Sequence, residues 1–133
     1  MTMETALRKR LLDDAAVKAI VSTRVDWGIR PEGDPYPSIV LTLVSDPRPQ
    51  HLTDFQPLRD TRVQIDCYAE NYGQAVALRE AVIPAIVPRK IMNGVRFDRS
   101  RINNIVQRSE PAGQGKIIHR QLIDASIWHG TTE

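Results

Sequence analysis

The stretch Gln64–Ala75, QIDCYAENYGQA, carries the only cysteine of the chain, with Asp66 beside it and a turn into a helix behind it. A nucleophile placed where a strand hands over to a helix is how several hydrolases are built. A thiol nucleophile also needs a base, usually histidine, and a lowered pKa. No recognisable spacing ties His51, His119 or His129 to Cys67. Val63, Ile65, Cys67 and Ala69 alternate with Arg62, Gln64, Asp66 and Tyr68. That period of two marks a half-buried strand. Cys67 stands in the apolar row, where free cysteine is commonly buried, and Asp66 points to the opposite face. Cys67 is therefore expected to be core wall.

Other chemistry fails on spacing. His119 and His129 share a strand face by parity, but ten residues of strand hold them about 33 Å apart, too far for one metal. His51 lies in a proline-rich loop without a second ligand at metal-site spacing. Asp13 and Asp14 are adjacent, so their side chains diverge on a helix, and a capping role fits them better than paired catalysis. The glycines are scattered and form no phosphate-cradling loop. No catalytic residue, metal ligand or cofactor is expected, and the chain reads as a non-enzyme.

The elements that would position any site read as an α+β domain. Leu7, Leu11, Ala15 and Ala19 recur at helical spacing, with Arg8, Arg10 and Lys18 expected outward. Asp13 or Asp14 could cap a second short helix, Ala15 to Val21. TRVDWGI is a short strand candidate, followed by the loop RPEGDPYP, whose three prolines disfavour regular structure. SIVLTLVS, Ser38 to Ser45, is rich in β-branched residues and reads as a buried strand. After RVQIDCYA, Asn71 begins a helix with Gln74 three residues on, a capping-box spacing, and Pro84 and Pro88 are expected to kink and stop it. GVRFDRSRINNIVQRSEP supplies a further strand or two, broken near the INN step, and KIIHRQLIDASIWH the last strand. Gly113-Gln114-Gly115 suggests the hairpin turn between them. The order predicts a mainly antiparallel sheet with an N-terminal helical segment and a central helix packed on one side.

At 133 residues the chain is read as a single domain, residues 1–133, large enough for one real core. A formal charge of +2 gives no strong electrostatic case for a nucleic-acid partner from the total alone. A single cysteine cannot form an internal disulfide. The charged N-terminus reads as neither signal peptide nor membrane span, so no membrane partner is expected.

Two features remain. Arg89, Lys90, Arg96, Arg99, Arg101 and Arg108 face only Asp98 within their segment, a local net of +5. It reads either as a solvated face or as a basic surface for phosphate. Few aromatics are interleaved, which disfavours stacking on single strands. The second feature is the loop Asp46–Asp60, with Phe55 and Leu58 expected exposed at its tip. It reads as a disordered connection or as a docking arm that orders on contact.

In these phrases, LLDDAAVKAIV, TRVDWGIRPEGDPYPSIVLTLVS, RVQIDCYAENYGQAVALREAV and HRQLIDASIWH, the chain resembles the phage tail-completion family. These are the tail-to-head joining or tail-terminator proteins of siphophages and prophage-like elements. The resemblance spans nearly the whole chain, with no catalytic signature. It implies a hexameric ring that caps the tail tube and docks on the head connector or stopper. DNA would pass through its lumen without sequence-specific binding. It implies a virion protein at the head-proximal tail end, assembled in the bacterial host cytoplasm. Partner contacts are expected in the proline-rich loop, at Arg48, His51, Phe55, Leu58 and Arg59, and a basic lumen surface at Arg96, Arg99 and Arg101. That loop is richer in proline than the family leads one to expect. A ring needs a repeated contact, and an exposed sheet edge is a plausible means, with TRVDWGI and Ile102–Gln107 as candidate edges. The alternative is a small nucleic-acid-binding module using Arg89–Arg108 directly. A small enzyme comes third and would require a pocket of convergent polar groups.

Overall fold

The computed structural model describes residues 2–48 and 58–131. Its elements run α1 (Met3–Asp13), α2 (Ala15–Val21), β1 (Val25–Trp27), β2 (Ser38–Ser45), β3 (Arg59–Ala69), α3 (Tyr72–Ile86), β4 (Lys90–Met92), β5 (Val95–Phe97), β6 (Arg101–Pro111) and β7 (Ile117–Thr131). This is the expected α+β class.

The N-terminal region is two helices. Thr2 caps the first through Thr5 N–H. Asp14 ends α1 and caps α2, its carboxylate accepting from the N–H groups of Ala16 and Val17. Asp13 instead pairs with Lys9 one turn earlier at 2.6 Å. The break at Asp14 resets the helical phase, which corrects the expectation for the second helix: Ala15 and Ala19 face solvent, while Val17 and Val21 turn inward. Arg10, also expected outward, is instead buried in α1, its guanidinium 5.2 Å over the Phe97 ring and donating to the Pro88 carbonyl.

The sheet has seven strands among the described residues, in the order β1-β2-β3-β7-β5-β4, with β6 also paired to β7. Every pairing is antiparallel except β1 with β2. β7 is the common neighbour. One side of it is paired with β3 from His119 to His129, and the other divides between β6, along Ile117–Ser126, and β5, along His129–Thr131. The helices cover one face, which buries Ile39, Leu41, Val63, Ile65, Cys67, Ile123, Ala125 and Ile127 against Leu7, Leu11, Leu78 and Val82. Burying each Val, Leu or Ile side chain among these contributes about 1.5–3 kcal/mol.

Asn71 caps α3 through the N–H of Gln74. Pro84 lies inside that helix and does not end it. The turn Asn93-Gly94, both at positive φ, joins β4 to β5. Asn-Gly is a strong hairpin signal, and the strand β4 before it was not anticipated. The break between β5 and β6 falls at Asp98–Ser100 rather than at INN, where the register instead shifts between Ile102 and Asn104 within a continuous strand. The β6–β7 hairpin turns through Gly113, Gln114 and Gly115, all at positive φ, a conformation in which a non-glycine side chain is disfavoured.

Candidate functional site

Cys67 is fully buried on the helix-covered face, where burial and the neighbouring Asp66 charge push its thiol pKa far up. Such a thiol is inert as a nucleophile. Its partner across the sheet on β7 is Gln121, whose side-chain oxygen accepts from Arg79 at 2.8 Å. Among the described residues no cluster of three or more His, Cys, Asp or Glu has metal-site geometry. No described helix is long and apolar enough to cross a membrane.

The polar chemistry is instead organised as a buried knot, a charged sheet face and open strand edges. The knot lies at the stem of the β2–β3 loop. Thr61 Oγ1 lies 2.8 Å from Asp46 Oδ1, a part-buried contact, and 2.7 Å from His129 Nε2, a buried one, each joining segments distant in sequence. The single hydroxyl proton of Thr61 is given to the carboxylate, so His129 donates from Nε2 to the hydroxyl oxygen. Arg59 donates to the same carboxylate oxygen at 2.8 Å, and Arg48 to the other at 2.8 Å. Burial raises the Asp46 pKa, but hydrogen bonds from Thr61, Arg48 and Arg59 outweigh it and hold the carboxyl below its usual range. Burial, helped by Arg59, pushes His129 down to about 4, so its ring is neutral.

The face away from the helices carries a ladder of charge. Arg62 reaches Asp124 at 2.6 Å, and Arg120 reaches Asp66 at 2.8 Å while its guanidinium lies 5.7 Å from the Tyr68 ring. Tyr68 in turn packs on Tyr36, which carries Arg30 on its ring, so the loop after β1 is fastened to this face. Beside this ladder, across β7 from β3, β6 is the least buried strand. Ile102 and Val106 alone are half-buried, and its remaining residues are exposed on both faces. Only β7 pairs with it among the described residues. Tyr72, at the start of α3, reaches over to Gln107 at 2.7 Å and stands edge-on to His119, which lies 3.0 Å from Ser109.

With this geometry in view, residues 5–129 match the family described as Tail completion protein gp17. The chain belongs to that family. Among curated proteins, none matches. A chain of a solved native gene transfer agent virion shares the fold, with a TM-score of 0.58 at 17% identity, covering 96% of this chain and 95% of that one. Family membership makes the chain a structural protein of phage tail assembly, with no catalytic role implied.

In this tail-completion chain the expected site residues do not form one patch. Arg48 and Arg59 meet at the knot through Asp46. Arg59 and Asp60 belong to β3, so the connection is shorter than the expected Asp46–Asp60 loop. Leu58 is half-buried, lining a groove with Ile91, Arg96 and Phe97 instead of standing at a loop tip. His51 and Phe55 lie outside the described residues. Arg96, Arg99 and Arg101 are all exposed. Arg96 and Arg101 sit opposite Gly130 and Ser126, on the face without helices. Arg99 precedes β6, so strand parity does not apply to it. Of the other bases, Arg89 pairs with Asp98 at 2.6 Å, and Arg108 is seven residues of strand, about 23 Å, from Arg101. The basic segment is thus spread over three strands, with Lys90 in β4, Arg96 in β5, and Arg101 and Arg108 in β6, while Arg89 and Arg99 lie outside strands. The knot was missed because Asp46, Thr61 and His129 are far apart in sequence: the β3–β7 register brings Thr61 to His129, and the β2–β3 pairing delivers Asp46 at the end of β2.

Proposed function

We propose that this chain is a ring-forming adaptor that caps the tail tube and joins it to the head connector. The observation that carries the reading is β6, an eleven-residue strand exposed on both faces, with one edge unpaired among the described residues. Such an edge is a template for another chain, and proteins that act alone cover or blunt it. A joining ring repeats one heterologous contact until it closes, six times in the hexamer that the family resemblance implies. Arg96 and Arg101, on the open sheet face, supply diffuse positive potential to a lumen through which duplex DNA passes without sequence-specific contact. Arg48, Leu58 and Arg59, at the stem of the proline-rich loop that contains His51 and Phe55, supply contacts to the tube or connector.

The test is the mass of the purified protein, free and mixed with tail tubes, beside a head–tail joining assay in infected-cell extract lacking the native protein. A closed oligomer that restores joining is the expected result. A protein monomeric both at high concentration and on tail ends refutes the ring. The basic segment favours one second reading, a nucleic-acid-binding module. It requires DNA binding that weakens steeply with salt, with no joining activity.

A further inference from the structure

The groove at Leu58 joins apolar surface to charge of one sign. It lies where the β4–β5 hairpin meets the start of β3 and encloses about 640 Å³, within the range of roughly 300–1,000 Å³ usual for a ligand pocket. Leu58, Ile91 and Phe97 supply its apolar wall, and Arg89, Lys90, Arg96 and Asp98 its charges. Ile91 stands opposite Arg96 across the hairpin, so both project from the face without helices. Ile91 is 63% exposed. A lone exposed isoleucine is ordinary, but this one shares a concave wall with Leu58 and has cations on either side.

The positive sign survives a count of the neighbours. Asp98, the carboxylate of the lining, is held by Arg89 at 2.6 Å. Lys90 and Arg96 are exposed and have no ion-pair partner among the described residues. Asp13 lies near Lys90 but is already bound to Lys9 at 2.6 Å. Asp60, two residues along β3 from Leu58, has one carboxylate oxygen buried, and Arg99 beside Asp98 offsets its charge. Arg48 and Arg59 share Asp46. Two cations are thus left beside the apolar wall. Duplex DNA would satisfy them but not the wall, since a phosphate backbone brings charge without apolar side chains. A purely apolar segment would cover the wall and leave both cations without counter-charge at a contact that excludes water, which is costly. A protein segment in which carboxylates flank an apolar side chain meets both demands.

We propose that a neighbouring tail or head protein docks in this groove through such an acidic, apolar segment. Its apolar side chain packs on Leu58 and Ile91, and its carboxylates meet Lys90 and Arg96. The contact rests on the adaptor reading above and names the surface that meets the partner. It extends the loop stem at Leu58 onto the β4–β5 hairpin. It also refines that reading at one residue: Arg96 meets a carboxylate, and the lumen potential rests on Arg101.

Photo-cross-linking in the joined particle reads the occupant directly. The chain is made with p-benzoylphenylalanine in place of Ile91, assembled into head–tail particles and irradiated, and the cross-linked peptide is identified by mass. The expected product is another virion protein, joined at a peptide in which carboxylates flank an apolar side chain. A cross-link to DNA, to a second copy of this chain or to a peptide without carboxylates overturns the proposal, as does none at all. Charge reversal gives an independent measurement. Lys90→Glu with Arg96→Glu is expected to keep the oligomer mass of the parent and to lower head–tail joining by about tenfold or more. Lys90→Arg with Arg96→Lys, which keeps both charges, is expected to join like the parent. Loss of the oligomer in the reversed chain puts the groove between copies and overturns the proposal. Unchanged joining in the reversed chain overturns this contact and leaves the adaptor reading standing. A parent chain that neither closes a ring nor joins removes the adaptor reading and this contact with it, a failure seen without any groove variant.

Discussion

Replacing Thr61 with valine keeps the outline of the side chain and removes one hydroxyl from the knot at the loop stem. Two hydrogen bonds go with it, the 2.8 Å bond to Asp46 and the 2.7 Å bond from His129. A bond to a charged acceptor is worth about 1.5–3 kcal/mol, and a buried donor left without a partner costs about 1–3 kcal/mol. The extra methyl returns roughly 1 kcal/mol. The net loss is about 1.5–5 kcal/mol, a large share of the stability of a domain this size. It should lower the melting temperature by roughly 5–20 °C. Urea denaturation at neutral pH measures it, and Thr61→Ser, which keeps the hydroxyl, should lose less than about 1 kcal/mol. If valine costs no more than serine, the hydroxyl does not hold the knot and the reasoning fails. Acid gives a second handle on the same group. His129 titrates at about 4 when folded against 6.5 as an ordinary histidine, so between those values the unfolded chain binds the extra proton. The contribution of His129 is therefore fully present above pH 6.5 and is lost as pH falls to 4, by at most about 3 kcal/mol. His129→Gln should flatten this part of the stability–pH curve.

Cys67→Ala should stay folded and assemble normally, at a cost of about 1 kcal/mol in denaturant for a small cavity; a folded variant without any function would overturn its structural role. Arg10→Met should match or exceed the parent in the same assay, because Nε and Nη1 of this buried guanidinium have no hydrogen-bond partner among the described residues. Arg10→Ala should instead lose about 2 kcal/mol or more through lost packing on Phe97, and equal costs for the two variants would refute this account. Arg99→Gln with Arg101→Gln removes two charges from exposed positions, so the chain should fold within about 0.5 kcal/mol of the parent and still join heads to tails. Strong DNA binding by the parent, abolished in that variant, with joining activity in neither, counts against the adaptor.

Much of the fold was legible because its signals are local. The alternation across Arg62–Ala69 and the β-branched run Ser38–Ser45 each carry their strand in a few residues, and Asn71 and Asp14 mark helix starts through their own side chains. Arg10 was misread because a charge on a helix is taken to face water. Its inward turn depends on Phe97 and Pro88, remote in sequence. Pro84 and Pro88 were read together as kinking and stopping the helix, and α3 ends at Ile86 between them, with Pro84 inside its last turn. The candidate edges were visible as segments, but their places at opposite ends of the sheet come from strand order, a global property that a local pattern does not carry. The knot is less legible still, since its side chains meet only through the β3–β7 register and the turn of chain after β2.

The fork at β7 has a mechanical consequence. A pull along β6 relative to β3 runs parallel to the strands on both sides of β7, so the ten register pairs with β6 and the eleven with β3 are strained together. The β4–β5 hairpin hangs on β7 by three pairs near its end, and a force lifting it away breaks them one after another. One strand thus serves two attachments of unequal strength, stiff where β6 leaves the domain and easily peeled where β5 does. Tension delivered through β6 would reach the helix-backed core with little stretch, while the hairpin could lift without disturbing it.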